Sequence, residues 1–256
     1  MTAPPLALVA GTGFSDLDAL EDRREQTVET PFGPARVTHG TWHDLPVVFL
    51  ARHGPGHSVP PHLVNYRANV RALADLGARD VVAVNVTGSV DPDLEPGDLL
   101  CLDDFVDFTK QRPLTFHDGS GPEGVVHTDV STPYDPDLRR EILDAAAAVG
   151  TPVRDGGVYA AFEGPRFETA AEIRLARLAG ADVAGMTGVP EVVLAREAGL
   201  RYAALSLVVN PATGVGDASE PITMDEIEAA LARSRTAVLA VLDELVHTRA
   251  TFEGES

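Results

Sequence analysis

The chain has 256 residues, of which 44% are hydrophobic and 23% are charged, as is usual for a globular protein. Its net charge of −19 disfavours nucleic acids and anionic membranes as partners, because both would repel it. A single cysteine, Cys101, excludes an intrachain disulfide and a multi-cysteine zinc site, and no apolar run reaches the about 18 residues of a membrane span. We therefore expect a cytoplasmic protein with a single domain over residues 1–256.

Five apolar runs of strand length are spread along the chain, and polar or glycine residues follow most of them. The runs cover residues 6–10, 46–51, 81–86, 181–186 and 202–209. Runs that are apolar almost throughout are typical of strands covered by helices on both faces. Amphipathic stretches of helix length lie between and after them, at residues 63–76, 136–149, 168–179 and 191–198. The alternation predicts an α/β fold with a central sheet flanked by helices on both faces.

Local signals mark where several helices end or begin. Each of the four amphipathic stretches is followed by a glycine, a frequent helix stop; these are Gly77, Gly150, Gly180 and Gly199. Thr223 and Glu226 have the spacing of a capping box, which predicts a last helix from this point. Residues 109–135 form the longest predicted loop, and long loops in compact domains are often functional. We expect the tail at residues 251–256 to fray.

Small hydroxyls, glycines and one arginine follow the predicted strands. In open α/β sheets, ligands bind outside the carboxyl ends of strands. Thr12, Arg52, His53 and Thr187 suit an anion, because hydroxyls donate and arginine offers a charged bidentate fork. Free phosphate and a nucleotide phosphate fit equally well. The alternatives are a simple turn at Thr12, a surface pair at Arg52–His53 and a helix N-cap at Thr187. Residues 11–16 are not a dinucleotide fingerprint, since the third glycine is missing.

Three further residues have both a functional and a structural interpretation. Phe167 is either a core residue or a stacking platform for a planar ligand. Glu168 either stabilises a helix N-terminus or accepts hydrogen bonds from a base. Asn210 is either a turn former or a polar group in a pocket. The loop histidines lack the spacing of a metal site on a helix, so we expect no metal.

Taken in order, the motifs resemble the trimeric purine nucleoside phosphorylase and methylthioadenosine phosphorylase family. The similarity runs from residue 6 to about residue 245. The matching segments are residues 11–13, 30–33, 51–54, 64–69, 88–89, 95–98, 163–169 and 185–191. Each segment is short and weak alone, whereas the ordered set is specific. The resemblance implies the nucleoside phosphorylase fold, with a mixed and mostly buried central sheet.

The resemblance also implies an activity and a set of site residues. The family cleaves the N-glycosidic bond of purine nucleosides with phosphate as co-substrate, so neither a metal nor an organic cofactor is expected. By motif match, Thr12, Arg52, His53, Thr187 and the backbone of Val86 would bind phosphate. Phe167 would flank the base and Met186 the ribose. His127 would reach the 5′ pocket of a neighbouring subunit in a homotrimer.

Three positions indicate the substrate within that family. Glu168 and Asn210, the expected catalytic pair, match the pattern of members that act on 6-oxopurines. Met224 stands where inosine and guanosine phosphorylases carry a histidine, and its apolar thioether favours a 5′-methylthio group. This combination resembles bacterial S-methyl-5′-thioinosine phosphorylases, which implies hypoxanthine and 5-methylthioribose 1-phosphate as products. Val86 departs from the usual alanine, and residues 211–220 match no charged loop of the adenine-specific members.

Other functions stay open at this point. The chain could be a broad phosphorylase of inosine and guanosine, or one that acts on S-methyl-5′-thioadenosine. A nucleoside-binding regulatory subunit without activity is the alternative outside enzymes. A nucleoside hydrolase is disfavoured, because it needs no phosphate site and usually carries a cluster of metal-binding aspartates.

Overall fold

The computed structural model describes residues 4–14, 17–119, 121, 124–216 and 223–254. Within them the strands are β1 Leu6–Ala10, β2 Glu21–Thr30, β3 Gly33–Trp42, β4 Leu45–Ala51, β5 Asp80–Ser89, β6 Leu99–Cys101, β7 Asp104–Asp107, β8 Arg154–Asp155, β9 Val158–Ala161, β10 Val183–Gly185 and β11 Arg201–Pro211. The helices are α1 Tyr66–Asp75, α2 Pro136–Ala148, α3 Ala170–Leu178, α4 Gly188–Glu197 and α5 Met224–Gly254. None of the described helices is both long and apolar enough to span a membrane.

The described strands form one mixed sheet around β5. Strands β1 and β11 both pair with β5 in parallel, and β4 pairs with β1 in parallel. The carboxyl ends of β1, β4, β5 and β11 therefore lie at one edge of the sheet. Near its end, β5 pairs antiparallel with β10 through Gly88 and Ser89, which brings the segment after β10 to the same edge.

Helices cover both faces of the sheet, as the sequence predicts. On one face, Leu138 and Ile142 of α2 and Leu242 of α5 pack against the strands in one apolar cluster. On the other, residues of α1 and α4, such as Leu73 and Leu194, pack in a second cluster. Burying each such side chain contributes about 1.5–3 kcal/mol. The mixed α/β fold is thus confirmed.

The predicted helix ends are confirmed more closely than the helix starts. All four glycines after the amphipathic stretches have positive φ, as at Gly77 (82°) and Gly199 (73°). The helix predicted from residue 168 begins instead at Ala170, because Thr169 caps it in a capping box with Glu172. The predicted box at the start of α5 is present, with the Thr223 and Glu226 backbone N–H groups each donating to the other's side chain.

Two polar segments have regular structure that the sequence analysis did not predict. Residues 21–42 form the β2–β3 hairpin, which the sequence analysis missed because β2 is mostly exposed and carries charges rather than an apolar run. The tail expected to fray from residue 251 is helical to Gly254. In a helix this long each added residue gains a backbone hydrogen bond without a new nucleation cost, and the Thr251 hydroxyl donates to the His247 carbonyl at 3.0 Å. Residues 255–256 lie outside the described part.

Candidate active site

A cavity of about 430 Å³ opens at the sheet edge where β1, β4, β5 and β11 end. Nine of the residues predicted to bind ligand line it: Thr12, Arg52, His53, Val86, Phe167, Glu168, Met186, Thr187 and Asn210. They come from segments far apart in sequence, which the parallel strands bring to one place. The cavity also includes His57, Ser58 and Ile227, which the sequence analysis did not single out.

Two predicted residues stand apart from this group. His127 is exposed in the loop between β7 and α2 and does not line the cavity of its own chain. Met224 is the first residue of α5, but its side chain lies outside the described part of the structure.

Arg52 is held by a carboxylate that the sequence analysis mentioned only within a family motif. Its Nε and Nη2 donate to the two carboxylate oxygens of Glu191, each at 2.8 Å, and the two side chains are 1% and 2% exposed. Burial opposes the charge on Arg52, but the Glu191 carboxylate outweighs it and raises the pKa of the guanidinium. The Tyr202 hydroxyl donates to the same carboxylate at 2.8 Å. Arg52 is therefore a fixed cation.

The Arg52–Glu191 pair corrects the expected use of the arginine. The fork that we expected to clasp an anion is occupied by Glu191. Nη1 is the nitrogen nearest the cavity, since a Cβ on Gly11 would lie 3.3 Å from it, and it also contacts the Val84 carbonyl at 3.3 Å. A signal for Glu191 exists in the sequence, because it is a lone charge within the otherwise apolar residues 188–195.

His53 is neutral and has a defined tautomer. Its Nδ1 lies 2.8 Å from the Val59 carbonyl oxygen; because a carbonyl only accepts, Nδ1 carries the hydrogen. Burial, with the neighbouring Arg52 charge, lowers the pKa of His53 to about 4 despite that hydrogen bond. Nε2 therefore carries a lone pair. The His57 ring lies against His53 with 4.2 Å between ring centroids.

Thr187 precedes α4 without acting as its cap. Its side chain makes no capping hydrogen bond, so the hydroxyl is available to a ligand and the N-cap interpretation does not hold for the side chain. The backbone N–H groups of Thr187 and Gly188 donate to the Tyr159 hydroxyl at 3.0 and 3.2 Å. Gly185 and Gly188 pack directly on the Tyr159 ring, where a Cβ would collide with it. Tyr159 thus fixes this loop, although within an apolar run it gave no functional signal.

A second group of cavity residues, Phe167, Glu168 and Asn210, makes few hydrogen bonds within the chain. Phe167 is 38% exposed, so it is not the core residue of the structural interpretation. Glu168 is 8% exposed, its Oε1 has no partner among the described residues, and burial raises the pKa of its carboxyl. Asn210 donates through Nδ2 to the Pro211 carbonyl at 2.7 Å, which leaves its amide oxygen as an acceptor.

Arg112 connects this group to the loop at residues 109–135, and the sequence analysis missed it. Its side chain is buried and donates to the carbonyls of Phe162, Glu163 and Val189 at 3.0, 2.8 and 2.6 Å. Further contacts at 3.3 Å reach the Glu163 carboxylate and the Tyr66 hydroxyl. These partners lie just before the segment with Phe167 and at the start of α4. A single arginine in a long loop carries no sequence signal for such a role.

The comparisons with known proteins agree in pointing to phosphorylases. Residues 5–247 match the model of the phosphorylase superfamily. The chain is 47% identical to a 6-oxopurine nucleoside phosphorylase of Pyrococcus furiosus over 83% of this chain and 81% of that protein. It is 48% identical to a probable S-methyl-5′-thioinosine phosphorylase of Methanopyrus kandleri over 87% and 84%. A methylthioadenosine phosphorylase from Schistosoma mansoni, solved with adenine, is similar in structure with a TM-score of 0.90, 33% identity and coverage of 97% and 93%.

Proposed function

The chain belongs to the phosphorylase superfamily, and from this premise we propose that it cleaves the N-glycosidic bond of 6-oxopurine nucleosides with phosphate. It is then a purine nucleoside phosphorylase, a glycosyltransferase that releases the base and a pentose 1-phosphate. The observation that carries the proposal is that two groups of residues line the same cavity. Arg52, His53 and Thr187 form one group, and Glu168 and Asn210 belong to the other. Relatives named for 6-oxopurine nucleosides support the same substrate class.

In the first group, the proposed ligand is phosphate. Nη1 of Arg52, the hydroxyls of Thr12 and Thr187 and the backbone N–H of Val86 would hold it. Bond cleavage develops positive charge on the sugar, which the phosphate stabilises before it attacks C1′. Because Arg52 is already fixed by Glu191, little reorganisation is needed, and such preorganised charge is an effective source of catalysis.

In the second group, the proposed ligand is the purine, with Phe167 against the base and Met186 against the ribose. Negative charge develops on the leaving base, and once a proton from solvent has been transferred to N7, the amide oxygen of Asn210 can accept a hydrogen bond from N7–H. The Glu168 carboxylate can accept N1–H, which hypoxanthine and guanine carry and adenine lacks. An unpartnered buried carboxylate oxygen is costly, and a donor from the base would satisfy it.

For the 5′ group, we propose S-methyl-5′-thioinosine, with hypoxanthine and 5-methylthioribose 1-phosphate as products. The Met224 position in the sequence and the relatives named as probable S-methyl-5′-thioinosine phosphorylases support it. A hydroxyl left unpaired against an apolar side chain costs about 1–3 kcal/mol, whereas a buried methyl group gains about 0.8 kcal/mol. Inosine or guanosine and S-methyl-5′-thioadenosine are the alternative substrates.

For the assembly, we propose a cytoplasmic homotrimer that uses no cofactor beside the phosphate co-substrate. His127 would complete the 5′ pocket of a neighbour. The exposure of His127 and of the apolar Val125 and Val126 beside it supports an interface there. A fully active monomer in light scattering would contradict this part of the proposal.

The test of the function compares base release from S-methyl-5′-thioinosine, inosine and S-methyl-5′-thioadenosine, each with and without phosphate. We expect release only with phosphate and kcat/KM for methylthioinosine at least about tenfold above that for inosine. The substitution Met224→His should narrow this gap by improving inosine. Release without phosphate would indicate a hydrolase, no release a regulatory subunit, and faster use of adenine nucleosides would contradict the roles of Glu168 and Asn210.

A further inference from the structure

We propose that His53 accepts a hydrogen bond from the hydroxyl of hydrogen phosphate, so that the site selects protonated oxyanions and rejects sulfate. The inference rests on the proposed function, since it concerns the anion that the cavity takes. Arg52 and the backbone N–H of Val86 can only donate to the anion, and the Thr12 and Thr187 hydroxyls can donate or accept, whereas His53, with its Nδ1 hydrogen engaged by Val59, can only accept.

The acceptor role follows from the way the ring is fixed. Its Nδ1–H donates to the Val59 carbonyl, and the Val59 N–H donates back to the His53 carbonyl at 2.8 Å. A flipped ring would place a carbon against the carbonyl oxygen and lose this bond. The His57 ring packs beside the His53 ring at a tilt, with 4.2 Å between ring centroids. Nε2 is therefore presented to the cavity as a lone pair rather than as an N–H group.

The lone pair lies beside the fixed cation. A Cβ built on Gly11 would be 3.3 Å from His53 Nε2 and equally 3.3 Å from Arg52 Nη1. The acceptor and the donor thus flank the same point at the end of β1. An anion bound in the cavity beside these two side chains meets a positive charge from one and a lone pair from the other. The space over Gly11 is too tight even for a methyl group, which would lie 3.0 Å from His53 Cδ2, so the two side chains stand close together in the cavity wall.

Hydrogen phosphate matches this pair of neighbours and sulfate does not. The phosphate dianion offers charged oxygens to Arg52 and one P–OH hydrogen to His53. Sulfate has the same charge and a similar size but no hydrogen, so one of its oxygens would face the lone pair. A site built to accept a hydrogen bond strongly rejects an analogue that lacks the donor. Arsenate is larger than both but keeps the hydroxyl. This site should therefore bind arsenate more tightly than the smaller sulfate.

The experiment measures the dissociation constants of phosphate, arsenate and sulfate by competition, with base release as the readout for the first two. In the wild type we expect arsenate within about fivefold of phosphate and sulfate weaker by about 30-fold or more. His53→Gln should bind sulfate more tightly than the wild type, because the amide can turn its NH₂ group toward the anion. This gain of binding cannot result from damage to the fold. His43→Gln is the matched control, since His43 does not line the cavity, and it should leave the sulfate-to-phosphate ratio unchanged.

Several results would overturn the inference. One is sulfate binding to the wild type as tightly as phosphate, and another is an unchanged ratio in His53→Gln. Nitrogen NMR of the wild-type histidines gives a test that needs no variant: hydrogen on Nδ1 and none on Nε2 supports the inference, and hydrogen on Nε2 rejects it. If neither phosphate nor arsenate binds, the proposed function itself fails. Phosphorolysis without discrimination against sulfate would instead remove only the role of His53.

Discussion

The two groups of residues that line the cavity are built differently. Arg52, His53 and Thr187 are buried at strand and loop ends, and Glu191, Val59 and Tyr159 fix their side chains or backbone. In the second group Phe167 is partly exposed, and Glu168 Oε1 has no partner among the described residues. The first group, the proposed anion-binding group, is preorganised by contacts within the chain. The second group, the proposed base-binding group, has fewer such contacts.

The difference has a physical origin. A small dianion can be held by a few fixed donors, and their charges are strongest where water is excluded. A purine needs a wide, flat opening through which it enters and leaves, and this opening lies on loops. Preorganisation is therefore concentrated where charge develops, and substitutions in the two groups should have different consequences.

The largest effect is expected from removing the carboxylate behind the anion-binding group. Glu191→Ala leaves the buried Arg52 charge uncompensated, which should lower the free energy of unfolding by about 3–5 kcal/mol and raise the KM for phosphate. Denaturant unfolding and phosphate kinetics measure the two effects. Glu25→Ala is the matched control, since it breaks the exposed pair with Arg36 and should change stability little. Equal stability of the two variants would show that the buried pair is unimportant.

The next effect concerns the connection between the two groups. Arg112→Met removes the donors that hold the Phe162, Glu163 and Val189 carbonyls, and small misplacements of reacting groups cost up to about 100-fold in rate. We expect kcat/KM to fall by about 30- to 100-fold for the nucleoside and for phosphate. The variant Arg112→Lys should recover part of this loss. Arg139→Met is the control, because Arg139 also donates to backbone carbonyls, but at Cys101 and Leu102, which do not adjoin Phe167, Glu168 or Thr187. A similar loss of kcat/KM in both variants, tracking their stability, would argue against a positioning role.

A smaller and pH-dependent effect should distinguish the base-binding group. Burial raises the pKa of Glu168, and the ionised carboxylate accepts N1–H more strongly than the protonated acid does. The kcat/KM for a 6-oxopurine nucleoside should therefore rise with pH through a value above the usual 4.3 or so of a glutamate. Glu168→Gln should remove this rise and lower kcat/KM by about 10-fold or more, while the KM for phosphate stays the same. Identical pH profiles for the two proteins would exclude Glu168 as the titrating group.

The smallest effect separates binding from stability at one residue. The Thr187 hydroxyl does not cap α4, so Thr187→Val should leave the unfolding midpoint unchanged and raise the KM for phosphate by about 5- to 10-fold. Asp135→Ala is the opposite case, because Asp135 caps α2 by accepting from the Leu138 N–H at 2.9 Å. It should lose about 1 kcal/mol of stability and keep its kinetics. If Thr187→Val proves the less stable of the two, the hydroxyl has a structural role after all.

The sequence by itself determined the local features and predicted nine of the residues that line the cavity. Apolar runs predicted the core strands β1, β4, β5, β10 and β11, because strands that are covered on both faces carry apolar side chains at nearly every position. Glycines after α1 and α4, with the capping box before α5, marked helix boundaries through short-range backbone chemistry. The glycine, hydroxyl and arginine residues at strand ends indicated an anion site for the same local reason.

Only the tertiary structure decided how those residues are held. Arg52 and Glu191 are 139 residues apart, and their pairing depends on the position of α4 over the sheet, which no local pattern records. The same holds for Tyr159, which contacts the loop with Thr187, and for Arg112, which contacts both the Phe162–Glu163 segment and Val189 of α4. Their hydrogen bonds are long-range and their residue types are common, so they become recognisable only where burial removes water as the alternative partner.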